Sequence, residues 1–296
     1  MASAELEQLI AGLRAGGPDL GAPPAEARAA FETLLAGLPV APDIAFTAFR
    51  LGGVPALRAA TPAAAGDAAL LYLHGGAFVV GSAQGYRGLA AELGRAAGMT
   101  VFAIDYALAP ESPFPRAVDD AVAAYTDLLG QGFAPGRIVI AGDSAGGGLT
   151  LAALVAIRDR GLPLPAAGLL LSPWTDLACE GASLVTKAAE DPSLKADALR
   201  ICAGHYLSGA DAKTPLASPL HADLAGLPPL MIQVGSAEIL LDDAVRTAGA
   251  AGAAGVSVTL EIWPEMVHVW QAFAFMLPEG REAIAAAGRF MAGRIG

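Results

Sequence analysis

Apolar residues along the chain fall into two alternating patterns. Short runs rich in leucine and β-branched residues occur at 68–73, 100–104, 137–141, 166–171, 229–234 and 256–262. Their length and lack of polar interruptions are those of strands buried on both faces. Between them, apolar positions recur at helical spacing: Leu89, Leu93 and Ala96 within 86–97, Val118, Val122 and Tyr125 after Ala117, and further helices at 149–157, 242–253 and up to about Met291. Strands alternating with helices of this length predict an α/β chain, its central sheet mostly parallel and covered by helices on both faces.

Three stretches stand outside the alternation. Residues 44–60 read as two strands around Gly52-Gly53. Residues 1–40 carry two helical patterns, 4–15 and 24–38, the second opened by Pro23-Pro24 and bearing Phe31, Leu34 and Leu35 on one face. Residues 178–214 hold helical patterns around 184–189 and 196–207 and no strand. A helical insertion placed after a core strand predicts a lid over the carboxyl ends of the strands. The division expected is therefore N-terminal cap helices at 1–40, a core of 41–177 and 215–296, and a helical cap insertion at 178–214.

Composition narrows the functions open to such a chain. Hydrophobic residues make up 54% and charged residues 16% of the 296 positions, enough apolar material for a sizeable core. The net charge of −11, with no basic cluster, argues against nucleic acid and against anionic membrane surfaces. Cys179 and Cys202 are too few for a disulfide scaffold and lack metal-ligand spacing. The acidic start, from Met1 to Glu7, does not have the profile of a secretory leader. No apolar stretch is long enough to span a bilayer, so membrane insertion is not expected and a cytoplasmic location is.

Candidate chemistry centres on Gly142-Asp143-Ser144-Ala145-Gly146, between the 137–141 strand and the following helix. In a chain with 36 glycines such a string can arise by chance. Its setting on a strand-to-helix turn gives it a reason: flanking glycines allow a turn so tight that the serine is held out at the top of the sheet. The 68–73 strand runs into His74-Gly75-Gly76-Ala77-Phe78, where backbone N–H groups can face an oxyanion. A serine nucleophile needs a histidine base steered by a carboxylate. Of the four histidines, His74 belongs to the glycine loop, His205 to the insertion and His221 to a polar connection. His268 alone follows a final core strand. For the acid, Glu238 lies in the loop after the 229–234 strand, with Asp242 and Asp243 about one helical turn later as alternatives.

These motifs, with Asp105-Tyr106-Ala107-Leu108-Ala109-Pro110-Glu111 and Ser172-Pro173-Trp174-Thr175-Asp176-Leu177, resemble the hormone-sensitive-lipase-like branch of the α/β-hydrolases, the bacterial family IV carboxylesterases. The resemblance covers about 70–270. It implies a serine carboxylesterase acting on short- to medium-chain acyl esters, without metal or cofactor, with a small-molecule ester as its partner and a homodimer left open. It carries over Ser144 as nucleophile, Glu238 as acid and His268 as base. Gly75, Gly76 and Ala145 carry over as oxyanion donors, and Phe78, Asp143 and Trp174 are candidates for the substrate pocket. An amidase or acyl transferase with the same triad, and a non-catalytic ligand receptor on the same fold, are the alternatives; the receptors of this fold lose the histidine that His268 supplies here. Three positions depart from the family pattern. Ala77 stands for a third glycine, Ala107 for an arginine, and Glu238 for an aspartate, the extra methylene shifting the carboxylate by about 1.5 Å.

Overall fold

The computed structural model describes residues 3–60 and 64–295. Met1 and Ala2, from the leader reading, residues 61–63, and Gly296 at the end of the expected core lie outside the described residues.

The apolar runs become β3 (Ala65–Leu73), β4 (Met99–Ile104), β5 (Ile138–Asp143), β6 (Ala167–Leu171), β7 (Leu230–Gly235) and β8 (Val258–Trp263), preceded by the hairpin β1 (Ala45–Leu51) and β2 (Val54–Ala60). They form one sheet in the order β1-β2-β4-β3-β5-β6-β7-β8, with β1, β2 and β4 meeting antiparallel and the remaining pairs parallel. Every residue of β4, β5, β6 and β7 is buried, which is why these segments read as continuous apolar runs. β8, on the outer edge, is half exposed.

The strand pleat divides the core into two layers. Leu71, Leu73, Ile104, Ile140, Leu170 and Ile232 face α4 (Arg116–Gly130), α5 (Ala145–Asp159) and α8 (Leu241–Ala253). Leu70, Tyr72, Val101, Val139, Leu169 and Met231 face α3 (Ala83–Ala97) and α9 (Pro278–Ala292). The mostly parallel, doubly covered α/β sheet is as expected.

The N-terminal helices are α1 (Ala4–Gly16) and α2 (Pro24–Ala36). Leu6 and Leu9 of α1 pack on Met266, Val267 and Trp270, beside the segment carrying His268. In the insertion, α7 (Ala196–Leu207) matches its pattern, but the expected 184–189 helix contracts to α6 (Ser183–Thr186). Past Thr186 the chain goes into turns, Glu190 N and Asp191 N both donating to Lys187 O at 3.0 Å, and Asp191 Oδ1 then accepts from Ser193 N at 2.9 Å and Leu194 N at 2.8 Å ahead of α7. N-terminal segment and insertion touch, since Arg14 Nη2 donates to Ala189 O at 3.3 Å and Cys202 Sγ to Leu20 O at 3.3 Å. Among the described residues, no helix is long and apolar enough to cross a membrane.

Candidate active site

β5 ends in a turn that places Ser144 at φ 54°, ψ −123°, a conformation L-residues rarely hold. Ser144 N donates to Leu171 O at 2.8 Å, while Ser144 O accepts from Gly148 N at 3.1 Å and Trp174 N at 2.9 Å. The flanking glycines are required by close approach. A Cβ on Gly142 would lie 2.3 Å from Gly146 O, and one on Gly146 would lie 2.0 Å from Leu73 O. Packing of this helix start against β3 also explains why α5 begins at Ala145 rather than after the glycines, where the apolar pattern placed it.

Glu238, wholly buried in the loop after β7, meets His268 with Oε2 2.6 Å from Nδ1. Its other oxygen, Oε1, accepts from Gly235 N at 2.8 Å and Ser172 Oγ at 2.7 Å. Ser172 Oγ in turn accepts from Val269 N at 3.1 Å, so one hydroxyl ties the acid to the residue after the histidine. Ser172 had no role assigned from sequence. Its signal was present, a Ser-Pro-Trp motif directly after β6. Burial alone pulls the His268 imidazole down, but the charge and hydrogen bond of Glu238, with Asp191 and Asp143 further off, raise its pKa above 6.5 overall.

Asp242 and Asp243 do not reach His268. Asp242 Oδ2 accepts from Ser183 N at 2.9 Å, and Asp243 Oδ2 accepts from Thr175 N and Asp176 N at 2.8 and 2.9 Å. Neither is only a helix-end charge: Asp243 is buried deeply enough for its pKa to rise to about 7, and it fixes the loop after β6. His221 Nε2 faces Asp176 Oδ1 at 3.2 Å.

The glycine loop corrects one expectation. Gly75 N donates to Asp143 Oδ1 at 2.9 Å and is therefore not free to hold an oxyanion. The N–H groups of Gly76, Ala77 and Ala145 have no acceptor among the described residues. Asp143, expected in the substrate pocket, instead braces this loop: it is fully buried, accepts also from Tyr72 Oη at 2.6 Å, and burial lifts its pKa to about 6. His74 is a second brace, its Nδ1 2.7 Å from Gly75 O and its ring stacked 4.3 Å from that of Tyr106. Phe78 and Trp174 are buried with ring centroids 6.2 Å apart, and Phe78 stacks at 3.9 Å on Tyr206 of α7. Among the described residues no cluster of side chains could hold a metal ion.

A family model described as the alpha/beta hydrolase fold matches residues 70–272. A solved esterase of the bacterial hormone-sensitive lipase family is 47% identical over the whole of both chains, with a TM-score of 0.96. The chain belongs to this family. An acetyl-hydrolase of Streptomyces hygroscopicus is 57% identical over 230 residues, 78% of this chain and 77% of that one. An esterase of Acinetobacter venetianus is 37% identical over 253 residues, 85% of this chain and 83% of that one. This member of the hormone-sensitive-lipase family is a carboxylic ester hydrolase.

The departures from the family pattern now have local explanations. Ala77 sits at φ 52°, a left-handed conformation in which glycine would carry no steric penalty. Near Ala107 the segment is braced by Arg28 of α2. Its Nε donates to Val79 O at 2.8 Å, Nη2 to Ala109 O at 2.8 Å, and the guanidinium grips Glu111 at 2.6 and 2.9 Å. That hydrogen-bonded pair holds the Glu111 carboxyl well below its usual range. The longer glutamate at 238 is accommodated because Gly235 N and Ser172 Oγ fix its second oxygen.

Proposed function

We propose that this esterase hydrolyses short-chain acyl esters, acetyl esters foremost, through Ser144, His268 and Glu238. The observation that carries the reading is the 2.6 Å contact between His268 Nδ1 and Glu238 Oε2 beside a strained serine turn. A carboxylate at Nδ1 holds the proton there and leaves Nε2 as the base. Ser144 Oγ attacks the ester carbonyl as its proton passes to Nε2. Gly76, Ala77 and Ala145 N–H groups supply the oxyanion donors. Collapse of the tetrahedral species breaks the bond to the alcohol oxygen, which takes the proton from Nε2 and leaves the acyl group on Oγ. Water then repeats the sequence, giving its proton to Nε2, and Oγ leaves with that proton as the carboxylic acid departs.

The short-chain preference is supported by two features. A relative sharing 57% identity is named an acetyl-hydrolase, and Phe78, Trp174 and Tyr206 fill the space between glycine loop, serine turn and insertion with buried rings. The N-terminal helices and residues 178–214 act as the cap, α1 on the histidine segment and the insertion on the acid loop. Methylenes beyond the pocket's end stay in water and add no binding energy. A panel of p-nitrophenyl esters tests this: kcat/KM should be highest for acyl groups of two to about six carbons and fall for about twelve or more. A maximum on long-chain esters or triglyceride emulsions rejects the short-chain reading.

A further inference from the structure

Glu238 is presented by a five-residue loop between β7 and α8, and that loop is held from two sides. Its first half is tied to the histidine segment, with Ser236 N donating to Trp263 O at 2.9 Å and Ala237 N to Met266 O at 3.0 Å. Its second half is held by the insertion. Ile239, directly after the glutamate, donates its N–H to Asp191 Oδ2 at 2.9 Å. The Ile239 carbonyl accepts from Ser183 Oγ at 2.6 Å. The same hydroxyl accepts from Asp242 N at 3.0 Å, and Asp242 Oδ2 accepts from Ser183 N at 2.9 Å. The two insertion side chains and Ile239 lie out of solvent, with Asp191 8%, Ser183 2% and Ile239 1% exposed.

Both polar groups of Ile239 are thus satisfied by side chains 48 and 56 residues upstream. A glutamate has one more rotatable bond than an aspartate, so its carboxylate stays in register only if its backbone is fixed. Misplacement by about 1 Å can cost a reaction of this kind up to about 10²-fold. We infer that Asp191 and Ser183 are positioning residues: through Ile239 the cap insertion sets the catalytic acid, so the cap governs turnover as well as substrate access. This rests on the proposed triad. Asp191 has a second effect, because three carboxylates from separate elements act on His268: Glu238 from the acid loop, Asp191 from the insertion and Asp143 at the end of β5. Each favours the charged imidazole.

The test uses the full chain and p-nitrophenyl acetate, with Asp191→Asn, Asp191→Glu, Ser183→Ala and, as control, Asp197→Asn on the exposed face of α7. Asp191→Asn should lower kcat about 10-fold with KM within about twofold. It should also move the acid limb of the pH profile down by roughly a few tenths of a unit, since a negative charge near His268 is gone. Asp191→Glu should restore the limb. Ser183→Ala should lower kcat about 3- to 10-fold with the limb unmoved, and Asp197→Asn should match wild type. If Asp191→Asn and Ser183→Ala lose only thermal stability, with kcat and acid limb at wild-type values, the inference is overturned. Where Asp191→Asn does not fold, by circular dichroism, Ser183→Ala decides through kcat alone. Labelling of the wild-type serine by an organophosphonate separates the two readings. A labelled Ser144 with indifferent positioning variants sinks this inference only, whereas an unlabelled Ser144 sinks the triad beneath it.

Discussion

Replacing Glu238 by glutamine keeps the shape of the acid and changes only which atoms can accept. In the native site three donors converge on the carboxylate: Gly235 N and Ser172 Oγ on Oε1, His268 Nδ1 on Oε2. Glutamine has one acceptor oxygen and one NH2 group. If its oxygen takes the Oε1 place, both fixed donors stay satisfied and NH2 faces Nδ1. The imidazole must then carry its proton on Nε2, the wrong tautomer to receive one from Ser144. The reverse orientation sets NH2 against Gly235 N–H, and a buried donor without an acceptor costs about 1–3 kcal/mol. The first orientation therefore dominates, and kcat should fall by roughly 10³–10⁴, equivalent to about 4–5.5 kcal/mol of transition-state stabilisation. Thermal stability should change little beside that. Initial rates on p-nitrophenyl acetate, normalised to titrated serine, measure it. Asp242→Asn and Asp243→Asn, which bond to Ser183 and to the 175–176 loop instead, should each stay within about tenfold. A Glu238→Gln enzyme within tenfold of wild type, with either aspartate variant crippled, refutes the tautomer argument.

Two further outcomes follow from the same geometry. Because the carboxylates around His268 outweigh its burial and raise its pKa, the base is neutral and active above that value and is lost as pH falls through it, so the acid limb of kcat/KM should have its midpoint above 6.5 rather than below it; a limb centred below 6 contradicts the Glu238–His268 charge interaction. Arg28→Ala removes bonds to Val79 O and Ala109 O and an ion pair with the exposed Glu111, and the carbonyl bonds should dominate, at about 1 kcal/mol each, because an exposed pair contributes little. A drop of a few degrees in Tm and roughly 3- to 10-fold in kcat/KM is expected, with no rescue by Arg28→Lys, whose single ammonium cannot serve both carbonyls and the carboxylate; unchanged kinetics would detach Arg28 from the glycine loop.

Most of the framework of the proposed site was legible in the sequence because it is local. The glycines flanking Ser144 are demanded by backbone contacts at 2.0–2.3 Å, and a strand, a tight turn and a helix follow one another within about twenty residues. The loop position of Glu238 was legible for the same reason, since a buried strand announces its own carboxyl end. What stayed hidden depends on pairs far apart in the chain. Arg28 reaches Glu111 across 83 positions and Asp191 reaches Ile239 across 48, and neither partner carries a periodicity that names the other. The misassigned oxyanion donor has a similar origin. Gly75 and Gly76 are equivalent as letters, and only the position of Asp143 on the neighbouring strand decides that the first turns its N–H inward.

The central claim is that Ser144 is the nucleophile and His268 its base. The most direct measurement is intact-protein and peptide mass spectrometry after treatment with an organophosphonate. Wild type should gain one adduct, on Ser144, and lose esterase activity in proportion. Ser144→Ala should gain none and hydrolyse p-nitrophenyl acetate roughly 10⁴–10⁶-fold more slowly, while remaining folded by circular dichroism. An adduct on any other serine, or a folded Ser144→Ala protein with wild-type turnover, would contradict the assignment.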